Sequence, residues 1–230
     1  GPRNNTSRMK NTLGNLYLKI FSRPSMREEI LHRVMRLASL YELRGDYLEF
    51  GVDQGKSFMA AYRIAQKYNL SSMKFYAFDS FQGLPESKGV DKEVWQFHKG
   101  EYACSEDQFK RNLQKKGVDM AKVTTVAGWY NDLLNDDTKK KLPLKSAAIV
   151  WIDCDLYEST VPVLNFLTDY VEDGTILIFD DWFCFRGNPQ RGEQRAFREW
   201  LARNPLITAS EYYKHGFWGN SFILHISAQR

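Results

Sequence analysis

Short apolar runs recur along this chain, separated by amphipathic stretches, and that alternation limits the fold more than any other feature. The runs cover residues 47–50, 75–78, 123–126, 147–152, 175–179 and, late, 222–225. Helical spacing of apolar residues is found near 56–68, 105–116, 159–171 and 191–203, and first at Ile30, Val34, Leu37 and Leu40 or Tyr41 within residues 26–41. Strands buried on both faces read as continuous apolar runs. Strands that alternate with helices predict an α/β architecture, a parallel sheet with helices on both faces. With 230 residues, 43% of them hydrophobic, the chain can fill one large core. No repeat or linker divides it.

Four of these runs end in acid. Glu49 closes the first, Asp79 the second, Asp153 the fourth, and Asp180 with Asp181 the fifth. The carboxyl ends of parallel strands share one rim, where open α/β sheets bind their ligands, so these acids should gather there. The segment Glu49-Phe50-Gly51-Val52-Asp53-Gln54-Gly55-Lys56-Ser57 runs from a strand through a glycine turn into a helix. Glycines let the backbone bend and approach a ligand closely, and a helix start offers unpaired N–H groups. A carboxylate ahead of such a turn suits a nucleoside-type ligand with positive charge, such as S-adenosylmethionine. The dinucleotide fingerprint G-x-G-x-x-G is absent, because Phe50 and Val52 flank Gly51. The Walker A spacing fails too, because Phe50 stands where its first glycine belongs.

Asp79, an acid at the end of the second strand, is expected to hold a ribose hydroxyl pair; a helix N-cap is the structural alternative. Asp153, Asp180 and Asp181, at the ends of neighbouring strands, would bring three carboxylates together, and such a group needs a proton or a cation. An all-oxygen donor set suits Mg2+ or Ca2+, and also Mn2+. No His or Cys has zinc spacing, and Cys154 reads as a packed thiol. The alternative is that Asp180 or Asp181 caps a turn while Asp153 faces water.

The net charge of +4 is spread along the chain. Its densest basic run, Lys139-Lys140-Lys141, follows Asp136-Asp137 and reads as a solvated helix end, which argues against a nucleic-acid partner. No apolar stretch approaches the roughly 20 residues that cross a bilayer, and no signal peptide is recognised at the start. Three scattered cysteines, Cys104, Cys154 and Cys184, suit reduced thiols. The expectation is a cytoplasmic protein with no membrane partner. Gly1-Pro2 reads as the scar of a cleaved tag, so residues 1–25 are expected to be a tail and 26–230 the domain, the natural chain extending upstream. Residues 86–104 lack periodicity and follow a strand end, where a long loop predicts a lid; Trp95, Phe97, His98 and Tyr102 are its candidate acceptor contacts. Ile30, Val34 and Leu37 could cover the core or a second subunit, so a homodimer or higher homo-oligomer stays open.

Several segments, in order, carry a family resemblance. The stretch from Glu49 to Gly55 is similar to motif I of class I S-adenosylmethionine-dependent methyltransferases. The others are Tyr76-Ala77-Phe78-Asp79-Ser80-Phe81-Gln82-Gly83-Leu84-Pro85, Ile152-Asp153-Cys154-Asp155-Leu156-Tyr157-Glu158-Ser159-Thr160, Asp180-Asp181-Trp182 and Gly192-Glu193-Gln194-Arg195-Ala196-Phe197. Together they resemble the macrocin O-methyltransferase (TylF/MycF-type) family over about residues 26–225. The resemblance implies a single-domain, Rossmann-like, seven-stranded sheet. It also implies Mg2+-dependent methylation of a hydroxyl, usually on a sugar of a glycosylated natural product. Glu49, Gly51 and Gly55 would then surround the methionine part of the cofactor and Asp79 would hold the ribose. Gly128 and Trp129 would lie near the adenine, with Ser57 and Ser80 completing the cofactor set. Asp153, Asp180 and Asp181 would bind the metal, as the same three strand-end positions do in the catechol O-methyltransferases.

An alcohol is a poor nucleophile while protonated; a bound cation lowers its pKa, and a nearby base helps. Asp153 is the first candidate for that base, with Asp155 and His98 behind it. The lid matches no family motif, which leaves the acceptor open. Two other readings stand beside this one: a metal-dependent hydrolase or hydroxylase using the same acids, and a non-catalytic binding module on the same fold. An NAD-dependent dehydrogenase ranks last.

Overall fold

The central strands are β1 (Asp46–Phe50) and β4 (Ala147–Ile152), and all of β4 is buried. They lie side by side and parallel, Glu49 opposite Trp151 and Phe50 opposite Ile152. The computed structural model that shows this describes residues 25–85, 100 and 103–227. Around that pair stand β2 (Phe75–Asp79), β3 (Val123–Ala127), β5 (Val171–Phe179), β6 (Ile207–Glu211) and β7 (Asn220–Ile226). The sheet has seven strands in the order β3-β2-β1-β4-β5-β7-β6. It is parallel from β3 to β5, and β7 runs antiparallel to both of its neighbours.

Helices cover both faces because successive strand residues point to opposite sides. On one face Tyr47, Ile149 and Trp151 pack with Ile30 and Val34 of α1 (Met26–Leu40), Phe58 and Ile64 of α2 (Lys56–Lys67) and Phe109 of α3 (Glu106–Lys115). On the other, Leu48, Phe50, Val150 and Ile152 meet Val163 and Phe166 of α6 (Tyr157–Leu167) and Phe197 and Trp200 of α7 (Gly192–Arg203). Between β3 and β4 lie two short helices, α4 (Tyr130–Leu133) and α5 (Asp136–Lys141). Rings dominate the second face: Phe50 stacks on Phe78 with centroids 4.5 Å apart. Each such buried side chain contributes on the order of 1.5–3 kcal/mol. The apolar stripe of α1 therefore covers this chain's own core.

Three boundaries differ from the sequence expectation. β5 begins at Val171, four residues before 175, because Glu172 and Asp173 continue the strand while exposed to solvent. α6 accordingly stops at Leu167 rather than near 171. β6 was not among the apolar runs, since it is an edge strand with only Ile207 buried. The Lys139-Lys140-Lys141 run does end a helix, with Asp136 and Asp137 in its first turn. All three cysteines are unpaired and buried. Among the described residues no helix is long and apolar enough to cross a membrane. Trp95, Phe97, His98 and Tyr102 lie outside the described residues, as do the tail up to residue 24 and most of the expected lid.

Candidate active site

The helix after β1 packs on one face of the sheet and the helix after β4 on the other. Between those strands the chain order reverses, which opens a crevice at their carboxyl ends. The ladder continues one residue past the strands and brings four loops to that rim. Gly51 N donates to Phe78 O, Asp153 N to Phe50 O, Asp180 N to Ile152 O and Gly128 N to Asp79 O, each at 2.9 Å. A cavity of about 820 Å3 sits there.

One half of the cavity is the glycine turn. Gly51 has φ +86°, and a Cβ on it would lie 2.0 Å from the Asp153 carbonyl oxygen. Gly55 has φ +83° and touches the Phe109 ring in the same way, at 2.8 Å. Glycine is therefore needed twice, once to pass β4 and once to seat α2 on α3. Asp79 ties the turn to β2. Its Oδ2 accepts from Val52 N at 2.8 Å and Asp53 N at 3.4 Å, and its Oδ1 accepts from Phe81 N at 2.7 Å. Burial raises its pKa against the pull of those N–H donors. A carboxylate has lone pairs beyond these three bonds, so Asp79 can still accept from a ligand. Ser57, Ser80, Gly128 and Trp129 line the cavity together with Gly51 and Asp79. Glu49 and Gly55 stand behind that wall. Glu49 is fully buried and accepts from Tyr47 Oη and Ser57 Oγ, both at 2.5 Å. Burial pushes its pKa up to about 7 despite those donors.

The other half is acidic. Asp153, Asp155 and Asp181 each place a carboxylate oxygen within 4.8 Å of the others. Asp155 has φ +59°, a left-handed conformation that strains any residue with a Cβ, and the turn it makes points its carboxyl at Asp181. Burial, then the neighbouring charges of Asp180 and Asp181, raise Asp153 well above the usual carboxylate range. Burial and Asp181 do the same to Asp155. Asp180 joins the rim but turns to a different partner: Arg27 of α1 donates to its Oδ2 and lies 3.3 Å from Asp153 Oδ2.

A family model for Macrocin-O-methyltransferase (TylF) matches residues 24–204, which include every site residue just described. The chain belongs to the macrocin-O-methyltransferase (TylF) family. It is 30% identical over 143 residues to the 8-demethyl-8-(2,3-dimethoxy-alpha-L-rhamnosyl)-tetracenomycin-C 4'-O-methyltransferase of Streptomyces olivaceus, covering 60% of this chain and 53% of that protein. It is 28% identical over 145 residues to the mycinamicin III 3''-O-methyltransferase of Micromonospora griseorubida, covering 60% and 55%. The match thus spans about half the length of these curated relatives. Among solved structures the O-methyltransferase NovP superposes with a TM-score of 0.73 at 23% identity, over 86% of this chain and 79% of that one. That likeness extends to the fold.

Within this TylF-family site the sequence left Glu193, Arg27 and Trp218 without a role. Glu193 stands in segment 192–197 of the sequence. It is 1% exposed in the first turn of α7, where its Oε2 accepts from Asp181 N at 3.1 Å. Burial, then the Asp181 and Asp180 charges, raise its pKa well above normal. A signal existed: Glu193, Ala196, Phe197 and Trp200 follow helical spacing, so an acid occupied the buried stripe. Arg27 had no such signal. Trp218, just before β7, also lines the cavity and is 48% exposed.

The donor set fits a hard divalent cation. Asp181 Oδ2 and Glu193 Oε1 are buried without a hydrogen-bond partner among the described residues. Unpaired buried carboxyl oxygens are costly, and oxygen ligands from several carboxylates are what Mg2+, Mn2+ or Ca2+ require.

Proposed function

We propose that this chain is an S-adenosylmethionine-dependent O-methyltransferase that acts on a sugar hydroxyl of a glycosylated small molecule, with a divalent cation in the acid cluster. One observation carries the reading. The Gly51 turn with Asp79, and the cluster of Asp153, Asp155, Asp180 and Asp181, face one cavity at the switch point of the sheet. The Streptomyces olivaceus relative supports the acceptor class, since its name gives an O-methylation of a rhamnosyl-bearing tetracenomycin.

The Gly51–Gly55 turn would hold the methionine portion of the cofactor, and Asp79 the ribose hydroxyls. Gly128 and Trp129 would flank the base. Asp153 and Asp181, with Asp155 or Asp180, would hold the cation. When bound, the cation supplies a lowered pKa and a fixed direction for the acceptor oxygen. Asp153 would accept the hydroxyl proton. Asp155, whose carboxylate oxygen lies within 4.8 Å of those of Asp153 and Asp181, is the second candidate for that role. Positioning supplies much of the remaining acceleration, because the methyl group needs only an in-line nucleophile. Trp218, which lines the cavity, would contact the acceptor.

Incubating the protein with S-adenosylmethionine, Mg2+ and a panel of glycosides, read by mass spectrometry, tests this. One methyl gained on the sugar is the expected product. Methylation confined to the aglycone would move the acceptor class, and none on any hydroxyl compound would reject the activity. For the cofactor half, Asp79→Ala should weaken S-adenosylhomocysteine binding by roughly 2–4 kcal/mol, because charge-assisted hydrogen bonds are lost and the Val52 and Phe81 amides are released. Calorimetry checks it; an unaltered affinity removes Asp79 from the site.

A further inference from the structure

Arg27 reaches from the first turn of α1 into the acid cluster. Its guanidinium pairs with both Asp153 and Asp180. The Arg27 side chain is 48% exposed, against 21% and 13% for the two acids, so it sits on their solvent side. The helix does not depend on this contact for anchorage. Glu28 pairs with Arg63 of α2 at 2.5 Å, and Glu29 accepts from Tyr213 Oη at 2.8 Å. Ser25 Oγ accepts from Glu28 N at 3.2 Å and caps the first turn.

We propose that Arg27 is the resident counter-ion of the acid cluster, that a divalent cation entering the cluster must displace its guanidinium, and that this side chain thereby sets the metal affinity of the site. The inference rests on the divalent-cation reading above and adds what opposes it. Clustered buried carboxylates need a positive charge. A guanidinium meets that need with weak hydration and a planar fork. Mg2+ or Mn2+ brings twice the charge but must shed water and draw on the Asp153 carboxylate that Arg27 already pairs with. An ion held by Asp153, Asp155 and Asp181 would compete with Arg27 for the Asp153 carboxylate, and like charges at such range repel. The exchange requires only rotation of an exposed side chain, because the other contacts of α1 remain.

Direct Mn2+ binding, followed by the electron paramagnetic resonance of the free ion, tests this on the wild type, Arg27→Gln, Arg27→Met and Arg27→Lys. The two neutral variants should bind Mn2+ about tenfold more tightly or better, and Arg27→Lys, which keeps the charge, should stay near wild type. Equal binding in all four overturns the proposal while leaving the cation reading intact. Weaker binding in the neutral variants also overturns it, because Arg27 would then be holding the ligands in place. Mn2+ binding by none of the four would reject the cation reading, and this inference with it.

Discussion

Asp153→Asn should lower kcat/KM by at least about 10³-fold, roughly 4 kcal/mol of transition-state stabilisation. The substitution removes a hard anionic ligand and the first candidate for the base in one step. Cofactor affinity should hold, because in the proposed function the acids serve the acceptor, and EDTA should imitate the variant in the wild type. Full turnover in excess EDTA would sink the metal role. The same variant should not lose stability. Asp153 has a raised pKa from burial and from the Asp180 and Asp181 charges, so its ionised form costs the folded state energy that a neutral amide does not. A Tm that holds or rises beside a collapsed rate is the pattern of a site that trades stability for function.

Gly51→Ala should cost about 3 kcal/mol or more, measured as a shift in the urea midpoint. Two penalties add. The residue must keep φ +86°, and its new Cβ would meet the Asp153 carbonyl oxygen at 2.0 Å. That oxygen belongs to backbone at the end of β4, so it can move only by spreading β1 from β4. Gly117→Ala is the control. It has φ +74° with nothing within 4 Å of the added carbon, so it should cost only the backbone term of about 1–2 kcal/mol. Equal midpoints for the two variants would refute the close approach at Gly51. S-adenosylhomocysteine affinity should fall in Gly51→Ala alone, because the displaced turn is the cofactor's expected cradle.

The elements of this fold were readable because each depends on neighbours along the chain. Apolar periodicity places β1, β2, β3, β4 and the main helices to within a few residues. Where it faltered, solvent was the reason. β6 and the start of β5 carry exposed polar residues, and their pairing with neighbouring strands decides their structure. The strand-end acids were likewise legible, since parallel strands must deliver their carboxyl ends to one rim. Glu49 shows the limit: the sequence put it at that rim, whereas its odd-face position turns it inward to Tyr47 and Ser57.

By itself the sequence determined a mostly parallel sheet with helices on both faces, a glycine turn after β1, and carboxylates at the ends of β1, β2, β4 and β5. Only the tertiary structure decided how those carboxylates sort. The left-handed turn at Asp155 aims it at Asp181, and α7 brings Glu193 beneath them. Asp180 is drawn to Arg27, a residue 153 positions earlier. Periodicity carries which face a residue is on, but not the direction of a side chain beyond the strand end or the approach of charges from distant elements. Those follow from packing both faces of the sheet at once, and they set the electrostatics of the site.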